Sequence, residues 1–222
     1  MPTQTEQFAS ALRQHTADFG VELSSQAFHK LSQFYELLLK WNPRLHLVAP
    51  CSPKEFATRH VLESLMCLRH LPANVRIADI GSGGGLPIIP CLLVRDDLHA
   101  TLIESSAKKS IFLREAVRVL GCADRTQMVN ARFEDIAAPD TDFITCRALD
   151  RFDRLLPRLI SWSAANATLL LFVGESLRDE IKALVPSVAV ESIPLSEKRF
   201  LVIARCVRRI SLDGDPERSA GI

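Results

Sequence analysis

Val75-Arg76-Ile77-Ala78-Asp79-Ile80-Gly81-Ser82-Gly83-Gly84-Gly85-Leu86-Pro87 is the stretch that decides the fold. Its first six residues make a short β-rich run, and four of the next five are glycine. A tight strand-to-helix turn needs fewer glycines than that. Without a Cβ the backbone can approach a ligand closely and take angles closed to other residues. A loop of this kind, at the carboxyl end of a strand and opening a helix, lies where open α/β sheets hold their ligands. Dinucleotide sites ask for G-x-G-x-x-G, but Leu86 occupies the third glycine's place and an acidic residue, Asp79, stands just ahead of the loop.

Outward from this stretch the period of the sequence changes. Downstream, short β-rich runs at Ala100–Glu104, Thr126–Val129, Asp142–Cys146 and Thr168–Val173 alternate with helical stretches, among them 107–120, closed by Gly121, and Glu175–Leu184. Alternation of this kind predicts a parallel sheet with helices on both faces, a Rossmann-like α/β fold. Val188–Ile193 and Phe200–Val207 are separated by too few residues for a crossover helix, so the last strand is expected to be antiparallel. Upstream the pattern is helical: about Gln4–Phe19; a helix capped by Ser24 or Ser25 and ended by Asn42-Pro43; and one opened by Ser52-Pro53-Lys54-Glu55, with glutamate at the capping-box position, reaching about Leu71. We therefore expect a helical segment over 1–72, a ligand-binding α/β domain over 73–210, and a disordered polar tail over 211–222.

Composition adds mostly exclusions. Across 222 residues the net charge is +1, so nucleic-acid binding would have to rest on a local basic face. The six cysteines include no C-x-x-C pair, so they read as small buried hydrophobes of a reducing cytoplasm, with no metal site expected. No apolar run approaches the roughly 20 residues that span a bilayer.

The pattern Asp79-x-Gly81-x-Gly83-x-Gly85 fits S-adenosylmethionine better than a dinucleotide, because that cofactor carries no phosphate and presents an ammonium and a sulfonium that call for carbonyls and carboxylates. Glu104, 25 positions after Asp79 and ending the next predicted strand, is placed to accept hydrogen bonds from a ribose diol. Asn130–Asp135 follows the third strand and would set Phe133 near the adenine and Glu134 near its amine. Arg147 emerges at the end of the fourth strand, facing the transferred methyl. No N/D-P-P-Y/F motif stands there, and Cys146 lacks the preceding proline of a cysteine nucleophile. Basic candidates for RNA are Arg44, Lys54, Arg59 and His60 in the helical part, Lys108, Lys109, Arg114 and Arg118 on one helix, and Arg205, Arg208 and Arg209 near the end.

Together, Trp41-Asn42, Arg59-His60-x-x-Glu63-Ser64, the glycine loop through Pro90, Glu104-Ser105-x-x-Lys108-Lys109-x-x-Phe112-Leu113 and Cys146-Arg147-Ala148 closely resemble the RsmG (GidB) family, in its order, from about Phe28 to Ile203. That family methylates guanine nitrogen-7 in bacterial 16S ribosomal RNA from S-adenosylmethionine. The resemblance implies cofactor contacts at Gly81, Leu86, Phe133, Glu134 and Arg147, and a seven-stranded methyltransferase sheet behind a helical N-terminal part; of the basic candidates, Arg59 and His60 lie in the family-like segment and are the expected contributors to RNA binding. It also implies small-subunit RNA or an assembly intermediate as partner; a monomer is expected. The chain departs from the family at Glu63 (commonly aspartate), Gly84 (often proline), Cys146 (serine), Val173 (usually lysine), and His46 and Val48 (usually Asn and Thr). Three alternatives stay open: a methyltransferase for another RNA, a protein or a small molecule; a module that binds S-adenosylmethionine without catalysis; and an NAD dehydrogenase.

Overall fold

A computed structural model describes residues 1–147, 152–164 and 166–205. Seven strands, β1 (Arg76–Ile80), β2 (His99–Ile103), β3 (Thr126–Val129), β4 (Phe143–Arg147), β5 (Thr168–Gly174), β6 (Ser187–Ser192) and β7 (Arg199–Arg205), form one sheet in the order β3-β2-β1-β4-β5-β7-β6. Six run in one direction; β7 opposes its neighbours β5 and β6, as the short link before it requires. Asp79 of β1 sits between Leu102 of β2 and Thr145 of β4. The strand order reverses at β1, and this switch point opens a crevice at the strands' carboxyl ends.

Both faces are covered, so the central strands read as nearly unbroken apolar runs; Leu169 to Val173 of β5 are all buried. On one face Ile77, Leu102, Leu170 and Leu201 pack with α5 (Ile88–Val94), α6 (Ala107–Val119) and the N-terminal helices in a single cluster. On the other, Ala78, Ile80, Ile144, Leu171 and Val202 pack with α7 (Phe152–Trp162) and α8 (Glu175–Leu184). Helix α7 has no counterpart in the sequence-based reading, because Pro157 at its centre masks the helical pattern. Gly121 closes α6 at φ +70°, where a side chain would be strained.

At the N-terminus, α1 (Gln4–His15) starts with a complete Thr3–Glu6 capping box, and Ser24 caps α2 (Ser25–Leu45). Helix α2 does not stop at Asn42-Pro43 as expected but runs on to Leu45. Pro43 forfeits one i→i−4 hydrogen bond, to the Leu39 carbonyl, without ending the helix, and the stop comes from His46, left-handed at φ 48°, which donates its N–H to the Asn42 carbonyl. That is a conformation asparagine also tolerates. The helix expected from Ser52 is a composite over 53–70: α3 (Pro53–Glu55), a π-wound stretch (Phe56–Leu62), α4 (Glu63–Leu65) and a 3₁₀ stretch (Met66–His70). Ser52 caps it, accepting from the Glu55 N–H at 3.1 Å, but Glu55 does not close a capping box; its carboxylate pairs instead with Arg59. The expected tail at 211–222, Cys206, Arg208, Arg209 and the end of the last predicted strand lie outside the described residues.

Candidate active site

A cleft of about 950 Å³ opens at the carboxyl ends of β1, β2 and β4. The glycine loop forms its floor. Gly81 and Ser82 donate their N–H groups to the Ile103 carbonyl at 2.9 and 3.2 Å, which ties the loop to β2. Gly83 stands at φ +50°, and a Cβ there would meet only the Gly81 carbonyl oxygen, at 3.6 Å, so the space above it is open. Gly85, at φ +83°, is different: its Cβ would fall 2.9 Å from Ile89 Cγ1, a clash inside the fold.

Glu104 stands beside this floor, 7% exposed. Its Oε2 accepts from the Gly83 N–H at 2.9 Å and its Oε1 from the Ser106 N–H at 2.7 Å. Asn130 Nδ2 and Ser110 Oγ hold its main-chain carbonyl at 2.7 and 3.2 Å. The carboxylate is thus fixed between the loop and the start of α6. Phe133 and Glu134 also line the cleft, but the Phe133 ring is buried, with its centroid 5.5 Å from that of Trp162 in an edge contact. Any contact from Phe133 to a ligand therefore falls to a small part of the residue. Asp79 and Gly85 do not line the cleft. Asp79 is fully buried; Oδ1 accepts from Thr145 Oγ1 at 2.6 Å, and among the described residues Oδ2 has no partner. Burial pushes its carboxyl up to about 7, against the pull of the Thr145 and Ser82 hydrogen bonds.

Arg147 closes the cleft at the end of β4, with its side chain 11% exposed. Its guanidinium spans the π-wound turn: Nη2 donates to the Arg59 carbonyl at 2.7 Å, and Nη1 to the His60 carbonyl at 3.3 Å. Nη2 also lies 3.2 Å from His60 Nδ1 and 3.5 Å from the Glu63 carboxylate. The other Glu63 oxygen accepts from Arg199 Nη1, so one buried carboxylate is held between two arginines from β4 and β7. Burial lowers the Arg147 pKa, partly countered by Glu63, and raises that of Glu63, countered by both arginines. Insertion of an outside side chain into the hydrogen-bond ladder accompanies the wide winding of 56–62.

His60 lines the cleft, while Arg59 does not; its carbonyl accepts from Arg147 and its exposed guanidinium pairs with Glu55 at 3.0 Å. Burial, with Arg147 next, lowers His60 to about 3, so its ring is neutral near pH 7. Arg199, Arg154 and Arg158, and the 47–49 segment are parts of this region that the sequence-based reading did not assign. Asn42 holds that segment, donating to the Val48 carbonyl at 3.1 Å and accepting from the Val48 N–H at 3.0 Å. Trp41-Asn42 was the available signal. Val173, where the family usually has lysine, is buried in the core of β5 and does not line the cleft.

A glycine-floored crevice at the switch point of a sheet with one reversed strand defines a Rossmann-like methyltransferase. The fold is shared with a SAM-dependent methyltransferase from Aquifex aeolicus (TM-score 0.53, 16% identity, 69% of this chain and 93% of that one). It is shared too with the ribosomal protein L11 methylase of Lactobacillus delbrueckii subsp. bulgaricus (TM-score 0.54, 14% identity, 66% and 78%). At these identities the likeness concerns fold alone. The chain belongs to the GidB family, rRNA small subunit methyltransferase G, which it matches over residues 27–206. It is 34% identical over 186 residues to the ribosomal RNA small subunit methyltransferase G of Halorhodospira halophila, covering 84% of this chain and 88% of the relative. It is 36% identical over 209 residues to that of Azoarcus sp., covering 89% and 97%.

Proposed function

We propose that this chain transfers the methyl group of S-adenosylmethionine to nitrogen-7 of a guanine in 16S ribosomal RNA. The observation that carries it is the division of the cleft into a floor of glycine backbone and carboxylate and a mouth lined by arginines and lysine. The floor fits the cofactor: Glu104 is fixed where a ribose diol would meet it, and the space over Gly83 is one that a Cβ would enter. When bound, the cofactor supplies an electrophilic methyl on a sulfonium. Gly81, Gly83 and Leu86 would contact it through the loop, with Phe133 and Glu134 beside the adenine; Asp79 and Gly85 would act by holding the loop's shape.

Guanine nitrogen-7 has an in-plane lone pair and no proton to lose, so the chain needs to align the reactants and needs no general base. The cleft agrees with that demand, since His60, lowered to about 3, is too weak a base to hold a proton near pH 7, and both Glu104 oxygens already accept from backbone N–H groups. Arg147 would position rather than bond to the guanine edge, because a fork on that edge would cover the reacting nitrogen. His60 and the Arg59 turn would face the RNA from the helical segment 1–72, with the α/β domain 73–210 holding the cofactor. No helix among the described residues is long and apolar enough to cross a membrane. From the ribosomal RNA methyltransferases it resembles, we infer that the chain acts in the cytoplasm, on the small subunit or an assembly intermediate. Val173, in place of the family's usual lysine, lies outside the cleft lining, so that departure gives no support to a module without catalysis. The test is labelled-methyl transfer to 30S subunits from a strain lacking the gene, followed by mapping of the modified base. Label at guanine nitrogen-7 supports the proposal, and subunits left unlabelled by a chain that binds S-adenosylmethionine would overturn it.

A further inference from the structure

Helix α7 is amphipathic in a way that points to a ligand. Leu156 and Leu159 are fully buried against the sheet, whereas Arg154 and Arg158 are exposed and line the cleft. Four residues apart, the two arginines stand one above the other on one helix face, where like charges repel. Exposed Arg59, Arg76 and Arg118 are paired with Glu55, Asp140 and Glu115, whereas exposed Arg13, Arg44, Arg114, Arg132 and Arg205 form no ion pair among the described residues; Arg154 and Arg158 differ from these in sharing one helix face at the cleft. Among the described residues, neither Arg154 nor Arg158 takes part in an ion pair.

The charge around them is lopsided. Among the described residues, Lys109, Arg132, Arg147, Arg154 and Arg158 line the cleft with two carboxylates, Glu104 and Glu134, in a chain whose net charge is +1. Helix α7 packs on the sheet face opposite the helical segment that contributes His60 and Leu47 to Ala49, so these groups border the cleft from two sides. Unpaired, exposed guanidinium groups at the mouth of such a cleft suit an anion that arrives from outside. A nucleic-acid strand that inserts one base keeps its phosphates at the mouth, where arginine forks bond them without reading sequence.

We propose that Arg154 and Arg158 form a phosphate clamp that grips the RNA backbone beside the inserted guanine, as positioning residues on the side away from the helical segment. The proposal rests on the ribosomal RNA reading given above. The test is single-turnover methyl transfer to unmodified 30S subunits, titrated in subunit concentration at several salt concentrations. It compares the wild type, Arg154→Gln, Arg158→Gln, the double variant and the two lysine variants; Arg76→Gln, at the end of β1 opposite the glycine loop, serves as the control. Each glutamine variant should raise the half-saturating subunit concentration about 3- to 10-fold. It should also lower the slope against log salt by about 0.7 per lost phosphate contact, and the double variant should lose about twice that. The rate at saturation and the calorimetric affinity for S-adenosylmethionine should stay within about twofold, and lysine should restore most of the salt slope. A double variant with unchanged half-saturation and slope overturns the clamp, as does a loss confined to cofactor affinity. Failure of the ribosomal RNA reading would show separately, as a wild type that binds S-adenosylmethionine yet leaves 30S subunits unlabelled, and it would overturn the clamp with it.

Discussion

The two ends of the cleft are held in different ways. At the floor, Gly83 and Glu104 are joined through one backbone N–H at 2.9 Å, and every part belongs to β1, β2 or the turn that follows each. At the mouth, Arg147 holds the π-wound turn, and Glu63 ties it to Arg199, a residue 136 positions further along the chain. The floor uses neutral donors and one carboxylate that backbone N–H groups satisfy. Behind its exposed arginines the mouth buries two charges, Glu63 and Arg147, with Arg199 half-buried beside them, and these depend on one another, since an isolated buried ion costs several kcal/mol. A floor defect should therefore appear in cofactor affinity, and a mouth defect in stability and in methyl transfer.

The sharpest break is Gly83→Val. Its added atoms would enter open space and meet no protein wall, so the sheet should stay folded while S-adenosylmethionine affinity falls about 100-fold or more, from blocked volume and backbone strain at φ +50°. Near-normal calorimetric affinity in a folded variant would remove the loop from the site. Next is Glu63→Ala at the other end. It leaves Arg147 and Arg199 without their shared carboxylate, and urea unfolding should show a loss of about 3 to 5 kcal/mol. A loss below about 1 kcal/mol would mean that solvent already screens the pair.

Asp79 sits between the two ends and makes a pH-dependent prediction. Its folded pKa is raised to about 7 from an ordinary 3.8. Between about pH 4 and pH 7 the folded chain keeps a proton that the unfolded chain has released, so stability falls as pH rises through this window. Asp79→Asn retains the acceptor for Thr145 without the charge. It should exceed the wild type by about 2 to 4 kcal/mol at pH 8 and match it below pH 4. A constant difference across this range would refute a raised carboxyl. The smallest effect is expected for Glu104→Ala, which should weaken S-adenosylmethionine by about 1 to 3 kcal/mol through lost charge-assisted ribose bonds, with Glu104→Asp losing less. An unchanged dissociation constant would leave Glu104 with only its backbone partners.

What the sequence by itself determined is the floor and the frame. The run 75–80, the glycines after it and Glu104 are short-range features, in which a strand's end, a turn and a cap follow from neighbouring residues. The link before Phe200 is equally local, and it dictated the reversed strand. Helical ends were legible where a cap decided them, as at Ser24 and Gly121, and misread at Pro43, where a left-handed His46 set the stop. Only the tertiary structure decided the mouth. That Arg147 would cap the carbonyls of Arg59 and His60, that Glu63 would bring Arg199 beside it, and that α7 would turn Arg154 and Arg158 to the cleft depend on which helices pack on which face of the sheet. Such contacts join residues far apart in the chain and are fixed by burying apolar surface on both faces at once, so no local pattern around any of these residues announces them.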